Sequence, residues 1–188
     1  MIQQAYRAYD AQGRRKYLTR QEGLAFVREV LALPLRERLL CQVLYYAGCR
    51  PTEVINLGIG DFDRGESSVQ IRCLKKRGKV VIRRVPLPEW LTKAVLDLGP
   101  AQDDGKLWPI SRTTVWRLIK RVLKPLGIDG VHACPKGLRH GFGVRAVLAK
   151  LPVHLIQRWM GHSNTQTTAI YLEVQDDEER ELMARMWE

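Results

Sequence analysis

With 188 residues and 45% apolar side chains, the chain can build one sizeable hydrophobic core, so we expect one domain. Its formal net charge of +11 is unevenly spread, because residues 1–171 carry 29 Lys and Arg against 13 Asp and Glu, whereas residues 172–188 carry 2 against 7. The apolar runs are much shorter than the roughly 20 residues that span a bilayer, and the first residues lack the apolar core of a signal peptide. These features predict a soluble, cytoplasmic protein whose body binds a polyanion and whose acidic tail does not.

The four cysteines are scattered along the chain, and no two of them form a Cys-x-x-Cys pair: they are Cys41, Cys49, Cys73 and Cys134. This spacing favours neither a zinc ribbon nor a disulfide framework. We therefore expect reduced thiols and no structural metal.

The chain opens with a predicted arm and a capped helix. Residues 1–18 are polar and basic. Thr19 and Glu22 then have the spacing of a capping box, in which each side chain accepts a backbone N–H group of the other residue. Apolar residues follow at helical spacing, so we expect a first helix that ends near Pro34.

Two further helices are predicted before residue 60. Apolar residues at helical spacing mark a second helix over residues 35–47, and Gly48 is a typical stop. Pro51 is favoured at the first position of a third, short helix. Arg50 therefore stands at a helix entrance, where backbone N–H groups point outward.

The apolar period changes to two between residues 60 and 87, as in a β-hairpin. Val69, Ile71 and Cys73 alternate with polar residues, and a second apolar run follows. The turn between the runs, residues 75–79, contains three lysines and one arginine. The predicted hairpin therefore carries a dense positive charge at its tip.

A helix over residues 89–98 and another over residues 111–126 follow the hairpin. Beside its apolar face, the second helix has a basic stripe at spacing 0, 3, 4 and 7, formed by Arg117, Lys120, Arg121 and Lys124. A charged stripe is often only a solvated face. In a body with this much positive charge, a helix face that contacts DNA is the alternative.

Two predicted helices precede a glycine–histidine turn near the C-terminus. The first spans residues 136–150 and carries Arg139, and the second spans residues 152–160. His162 follows directly, in the turn after Gly161.

The C-terminal segment carries a tyrosine and a last predicted helix. Residues 165–171 can form one or two helical turns that bring Tyr171 close to the preceding turn. Residues 176–187 have apolar positions at helical spacing, so we expect an amphipathic helix there.

An arginine, a histidine and a tyrosine that meet at one point can cleave a phosphodiester without a metal ion. The tyrosine supplies the nucleophile, and cationic or hydrogen-bonding groups stabilise the charge that develops on the phosphate oxygens. Arg139, His162 and Tyr171 have the spacing to form such a site. Each of them alone is more often an ordinary core, cap or surface residue, so the hypothesis rests on the pattern as a whole.

Several short motifs occur together in one order along the chain. They are Ala47–Leu57, the basic hairpin that ends in Val-Pro-Leu-Pro, Pro135–Phe142, Met160–His162 and Tyr171. This order resembles the catalytic domain of the tyrosine recombinase, or phage integrase, family, and the resemblance covers nearly the whole chain from about Tyr17. It implies an α+β fold that is mainly α-helical, with a small antiparallel β-hairpin or sheet.

The resemblance implies a set of catalytic residues and one supporting residue. Arg50 and Arg139 match the two arginines of the family. His162 matches the histidine that follows a glycine, and Tyr171 matches the nucleophile. Glu53 is the acidic residue that supports the site.

The lysine of the family's hairpin has two candidates. Lining up residues 71–75 with the family's strand-to-turn lysine favours Lys75, and Lys76 is the alternative. Alternation also places Lys75 on the face of Val69 and Ile71. The other basic residues predicted to contact DNA are Lys76, Arg77 and Lys79 at the hairpin tip and Arg117, Lys120 and Arg121 on the basic stripe.

One position departs from the family. Lys136 stands three residues before Arg139, where the family usually has histidine. A lysine can donate hydrogen bonds to a phosphate oxygen, but it is ordinarily protonated at neutral pH and accepts a proton poorly. Because one helical turn separates it from Arg139, it projects to the same face, and we assign it to the catalytic set as a phosphate ligand. We interpret the adjacent His140 as structural.

These assignments predict a site-specific DNA recombinase. Tyr171 attacks a phosphodiester to form a 3′-phosphotyrosine, Lys75 protonates the leaving 5′-oxygen, and the remaining residues stabilise the phosphate. The energy of the broken bond is retained in the intermediate, so neither metal, ATP nor another cofactor is expected. The alternatives are a type IB topoisomerase, which uses the same chemistry on one duplex, and a DNA-binding regulator that has lost the chemistry.

The predicted organisation is a basic arm (1–18), a catalytic domain (19–175) and an acidic C-terminal helix (176–188). Family members usually carry an N-terminal helical domain that completes a clamp around DNA, and residues 1–18 are too short for one. The sequence does not decide between two interpretations, a naturally minimal recombinase and a domain excised from a longer protein.

The expected partners are double-stranded DNA with a specific site and further copies of the chain. In the family, a segment after the tyrosine often packs on a neighbouring protomer, which predicts a dimer or tetramer on DNA. Packing of the last helix on its own core is the alternative.

Overall fold

Seven α-helices and one antiparallel three-stranded sheet form the part of the chain that the structure describes. This computed structural model describes residues 8–74, 80–162, 168 and 183–184. The helices are α1 (Arg20–Glu29), α2 (Leu35–Ala47), α3 (Pro51–Val54), α4 (Glu89–Leu98), α5 (Arg112–Leu123), α6 (Pro135–Leu148) and α7 (Val153–Met160). The strands are β1 (Phe62–Asp63), β2 (Ser68–Leu74) and β3 (Val80–Pro86). The predicted fold class is confirmed, and none of the described helices is long and apolar enough to cross a bilayer.

Helix α1 begins at the predicted capping box. The Thr19 hydroxyl accepts the N–H of Glu22 at 3.2 Å, and Glu22 Oε2 accepts the N–H of Thr19 at 2.8 Å. A short 3-10 turn, Val30–Ala32, ends the helical segment before Pro34.

The buried face of α1 matches the apolar pattern only in part. Phe26 and Val30 are buried, whereas Leu24 and Leu31 are 46% and 56% exposed. The side that faces the core is set by contacts with α2 and α6. Helical spacing therefore predicted the helix, while tertiary packing chose its face.

Helix α2 is the central helix of the core, and it packs against α1, α4 and α6. The apolar residues whose spacing predicted this helix are buried, namely Leu39, Leu40, Val43 and Leu44. Gly48 ends the helix in the left-handed conformation, with a φ of 57°. A Cβ atom at Gly48 would lie 2.5 Å from the Phe142 ring of α6, so glycine permits the close approach of α6 to the end of α2.

The sheet has the order β1–β2–β3, and β2 and β3 form the predicted hairpin. Ile71 pairs with Arg83, and Val69 pairs with Val85. These four side chains are all buried. An arginine therefore occupies an inward position between apolar residues of the hairpin, while the tip, residues 75–79, lies outside the described residues.

Residues 8–18 of the predicted arm pack against the domain. Ala8 and Tyr17 are buried with side chains of α6 and α7 in a second, smaller core. Arg15 forms an ion pair with Glu22 of α1 at 2.5 Å. Residues 8–18 thus contact α1, α6 and α7. The boundary between the arm (1–18) and the catalytic domain (19–175) stays a prediction.

The second half of the chain follows the predicted helices closely. Ser111 caps α5 by accepting the N–H of Thr114 at 3.0 Å, and a 3-10 turn continues the helix to Leu126. Of the predicted turns over residues 165–171, the structure describes only residue 168. Of the predicted last helix over residues 176–187, it describes only residues 183 and 184.

Candidate active site

A cavity of about 640 Å³ lies between α3, the N-terminal parts of α5 and α6, and the turn after α7. Four of the six predicted catalytic residues line it, namely Arg50, Lys136, Arg139 and His162. They come from three separate segments of the chain, which the fold brings together. The other two, Lys75 and Tyr171, lie outside the described residues.

Arg139 is fixed by main-chain carbonyl groups. Its side chain is buried, and it donates to the carbonyl of Gly48 at 2.6 Å and to that of Met160 at 2.5 Å. Gly48 ends α2 and Met160 ends α7, so Arg139 on α6 connects the ends of the other two helices. These contacts hold the guanidinium in place at the cavity wall.

Arg50 immediately precedes α3, as predicted, and Glu53 anchors it. Glu53 Oε2 accepts the backbone N–H of Arg50 at 2.7 Å, and Oε1 accepts a hydrogen bond from its Nη1 at 2.9 Å. The Arg50 side chain remains 44% exposed, compared with 7% for Glu53. Arg50 is therefore held from one side and open to an anion in the cavity.

A second, buried arginine also binds Glu53. Arg83 is 4% exposed, and its Nη1 and Nη2 donate to the two carboxylate oxygens at 3.1 and 2.6 Å. Its Nε donates to the carbonyl of Trp159 at 2.6 Å, and its Nη1 also contacts Cys73 Sγ. Arg83 is not among the site residues predicted from the sequence. The available signal was a charged residue at an inward position of an alternating strand.

Glu53 is ionised throughout the physiological range. Burial alone would raise its pKa, but the hydrogen bonds and charge of Arg83, with smaller effects of the Arg50 N–H and the Cys73 thiol, lower the pKa to about 2. Cys73 Sγ donates to Glu53 Oε1 at 2.8 Å. Burial, and then this hydrogen bond, raise the pKa of Cys73, so the thiol stays protonated.

His162 stands in the turn after α7, as predicted. Its Nδ1 lies 2.9 Å from the hydroxyl of the buried Thr168. Burial, and then the positive charges of Arg139 and Arg50, lower the pKa of His162 to about 3. The imidazole is therefore uncharged at neutral pH, and it can contribute a hydrogen bond or a proton transfer but no positive charge.

Lys136 and His140 line the same wall of the cavity at different depths. Lys136 is exposed, so its ammonium group is accessible to a phosphate oxygen. His140 is only 7% exposed. Burial, and then the charges of Lys136 and Arg139, lower the pKa of His140 to about 3, so it is also uncharged at neutral pH.

A family model described as the phage integrase family matches residues 16–178. The chain belongs to the phage integrase family. The resemblance seen in the sequence motifs is thereby confirmed.

Two curated relatives and one solved structure illustrate the similarity of this integrase-family chain to known proteins. The tyrosine recombinase of Pseudothermotoga lettingae is 30% identical over 148 residues, which are 76% of this chain and 51% of that protein. The tyrosine recombinase XerA of Thermococcus onnurineus is 31% identical over 170 residues, 85% of this chain and 58% of that protein. The crystal structure of a XerA recombinase matches with a TM-score of 0.76 at 26% identity, covering 90% of this chain and 64% of that one. The integrase-family chain thus spans about half the length of the curated relatives it matches.

Helix α5 of this integrase-family domain contributes three cavity residues that the sequence analysis missed: Arg112, Thr113 and Trp116. Trp116 is 47% exposed although it is a large apolar residue. A tryptophan outside the apolar face of an amphipathic helix was the available signal, because such exposure often marks a binding surface.

The predicted basic stripe of α5 lies along the neighbouring surface. Arg117, Lys120 and Arg121 line, together with Trp116, a second cavity of about 730 Å³. The Lys120 ammonium lies 5.6 Å from the centre of the Trp116 ring. Arg121 forms an ion pair with Glu37 of α2. Contact of these residues with DNA stays a prediction.

The predicted residues of the hairpin tip lie outside the described residues, namely Lys75, Lys76, Arg77 and Lys79. Their assignment, like that of Tyr171, stays a prediction. Within the residues that the structure describes, no cluster of three or more His, Cys, Asp and Glu side chains could hold a metal ion.

Proposed function

We propose that the chain carries the catalytic domain of a site-specific recombinase, which breaks and rejoins DNA strands through a 3′-phosphotyrosine on Tyr171. The observation that carries this proposal is that Arg50, Lys136, Arg139 and His162 line one cavity. Membership in the phage integrase family supports it. Family membership also favours an enzyme over the alternative of a DNA-binding regulator.

The charge of the site suits a phosphodiester anion. Arg50, Arg83 and Arg139 surround the single carboxylate of Glu53, so the cluster keeps an excess of positive charge. Lys136 adds a further cation at the exposed wall. Positive groups that are already in place stabilise the additional negative charge of the transition state without reorganisation.

Cleavage exchanges one phosphate ester bond for another. The phenolic oxygen of Tyr171 forms a bond to the phosphorus, and the bond from phosphorus to the 5′-oxygen breaks. Lys75, with Lys76 as the alternative, gives a proton to the leaving 5′-oxygen, which departs as a hydroxyl group. Attack by the 5′-hydroxyl of another strand reverses these steps, so no ATP is consumed.

The proton of Tyr171 needs an acceptor. The charged form of a lysine side chain has only hydrogen-bond donors and is unsuited to this task, whereas the uncharged imidazole of His162 can take a proton. Burial is the main cause of the lowered pKa of His162, and the charges of Arg139 and Arg50 come second. A bound phosphodiester offsets only these charges, so the pKa of the imidazole rises when DNA is present. We therefore assign proton acceptance to His162 and phosphate stabilisation to Lys136.

The expected partners are double-stranded DNA and further copies of the chain. The body of the chain has a strong excess of basic residues, and Arg112 and Trp116 extend the cavity wall along α5. Strand exchange requires two cleaved duplexes, which favours a dimer or tetramer on DNA. The acidic residues 176–188 are the segment proposed to dock on a neighbouring copy.

A library of DNA duplexes with a randomised central sequence and a single nick tests the proposed function. Cleavage a few nucleotides to the 5′ side of the nick releases a short strand with the 5′-hydroxyl, so rejoining cannot remove the adduct. We expect the unaltered chain to form denaturation-resistant protein–DNA adducts, whose recovered DNA identifies the preferred site. Tyr171→Phe lacks only the attacking oxygen, and we expect it to bind the selected duplex as tightly but form no adduct.

Each alternative gives a different result in this assay. A regulator without chemistry would bind DNA and yield no adduct with the unaltered chain, which would overturn the proposed function. A topoisomerase-like activity would give adducts without enrichment of a defined sequence. Adducts formed by Tyr171→Phe would show that the nucleophile is misassigned.

A further inference from the structure

Arg83 connects the two sides of the site from behind the cavity wall. On one side, it binds both carboxylate oxygens of Glu53, the residue that anchors Arg50. On the other side, its Nε donates to the carbonyl of Trp159, three residues before His162. One buried side chain thus contacts the supports of Arg50 and of His162.

The backbone before His162 is packed directly on Arg83. A Cβ atom at Gly161 would lie 3.0 Å from Nη1 and 3.2 Å from Cζ of Arg83, and Gly161 has a φ of 64°. The backbone conformation favours glycine, and a larger residue here would press on the Arg83 guanidinium. The guanidinium of Arg83 therefore packs against the backbone of the turn that carries His162.

Because Arg83 pairs with the negative charge of Glu53, Arg50 and Arg139 remain available to bind an anion in the cavity. Glu53 is 7% exposed, and a carboxylate at this depth needs a paired cation. Without Arg83, the nearest cations are Arg50, which already donates to Oε1 at 2.9 Å, and Arg139, whose Nη1 is 4.0 Å from Oε2. Either one would be drawn toward Glu53 and away from an anion in the cavity.

We propose that Arg83 is a positioning residue for strand cleavage: it saturates the Glu53 carboxylate and supports the Trp159–His162 turn, which keeps Arg50, Arg139 and His162 aimed at one phosphate. This inference rests on the proposed function, because it concerns how that reaction is supported. Arg83 does not itself touch the DNA.

Three variants separate this role from charge in general. Arg83→Met removes the charge and all of the hydrogen bonds, and Arg83→Lys keeps the charge but cannot reach both carboxylate oxygens and the carbonyl together. Arg84→Met removes the charge of the neighbouring, exposed residue of β3 and is the matched control. Thermal unfolding identifies any variant that has lost its fold.

The rate of adduct formation is measured with saturating protein on a nicked duplex selected from the random library. We expect Arg83→Met to bind this duplex like the parent but to cleave it roughly 10- to 100-fold more slowly, because small displacements of catalytic groups cost this much. Arg83→Lys should lie between Arg83→Met and the parent. Arg84→Met should cleave at the parental rate.

A second substrate distinguishes positioning from general damage to the fold. Replacing one non-bridging oxygen of the scissile phosphate by a methyl group removes the charge that Arg50 and Arg139 stabilise. If Arg83 acts through these arginines, the defect of Arg83→Met should shrink on the methylphosphonate, as that of Arg50→Met should. A parental rate for Arg83→Met, or an equal defect on both substrates, would overturn the proposal.

Amide hydrogen exchange in the free protein gives a test that does not depend on chemistry. The N–H groups of Gly161 and His162 donate to the carbonyls of Arg158 and Gln157. They should exchange faster in Arg83→Met than in Arg84→Met, whereas equal rates would overturn the support of the turn by Arg83. If the unaltered chain formed no adduct, the proposed function would fail, and this exchange measurement would still decide the role of Arg83 in the fold.

Discussion

At the scale of single residues, Glu53 organises the charge of the site. Three arginines, Arg50, Arg83 and Arg139, share its one carboxylate. A buried carboxylate with this many partners stays ionised, and it orients the cations around it. Burial first, and then the charges of the same arginines, lower the pKa of His162 and keep it uncharged.

The two uncharged histidines predict how stability depends on pH. The pKa values of His140 and His162 are about 3 in the folded chain, below the value of about 6.5 for a histidine in an unfolded chain. As the pH falls below about 6.5, the unfolded state binds protons first. Their contribution to the free energy of unfolding is therefore complete above about pH 6.5, and it is lost as the pH falls toward 3.

Urea denaturation at pH 7, 6 and 5 measures this dependence. We expect the free energy of unfolding to fall by up to about 1.4 kcal/mol per pH unit for each histidine. Glu53 loses its contribution only at lower pH, because its pKa is lowered to about 2. His140→Phe should reduce the slope, and a free energy that is constant between pH 7 and 5 would contradict the assigned protonation states.

At the scale of elements, close contacts between helices and loops place the catalytic side chains. Helix α6 carries both Lys136 and Arg139, and Gly137 lies between them. A Cβ atom at Gly137 would lie 1.8 Å from the carbonyl oxygen of His132. The start of α6 can therefore reach its position only with glycine at this point.

Gly137→Ala should consequently destabilise the domain and disturb the site. We expect a loss of about 2–4 kcal/mol in the free energy of unfolding, because the contact is with backbone and cannot relax by rotation of a side chain. Gly60→Ala is the matched control, since a Cβ atom there meets nothing within 4 Å. Urea denaturation at pH 7 compares the two, and equal stabilities would show that α6 can shift without cost.

At the scale of the whole molecule, the excess of positive charge governs the attraction to DNA. The basic residues are concentrated before residue 172. On α5, the exposed Arg117 belongs to the basic stripe, whereas Arg121 is already paired with Glu37. The salt dependence of binding counts the phosphate charges that such residues neutralise.

Arg117→Ala and Arg121→Ala form a matched pair for the predicted DNA-binding stripe. Affinity for a mixed-sequence duplex is measured by fluorescence anisotropy between about 50 and 200 mM salt. If the stripe contacts DNA, Arg117→Ala should reduce the slope of log affinity against log salt by about 1, and Arg121→Ala by less, because Glu37 offsets its charge. Unchanged slopes in both variants would identify the stripe as a solvated face.

The local features of this chain follow from its sequence because they depend on neighbouring residues. The capping box of Thr19 and Glu22, the stop at Gly48 and the alternation in β2 require only contacts within a few residues. The ordered motifs likewise pointed to Arg50, Arg139 and His162, which the structure brings to one cavity.

Glu53 was predicted as a supporting residue, but only the tertiary structure showed that Arg83 supports the site as well. Arg83 binds Glu53, which is 30 positions away, and Trp159, which is 76 positions away. No local pattern encodes such contacts, because they arise only when the hairpin packs against α3 and α7. The uncharged state of His162 has the same origin, since a pKa depends on burial and on charges brought near from distant segments. The sequence thus determined which groups can carry out the chemistry, and packing determined their protonation and their orientation.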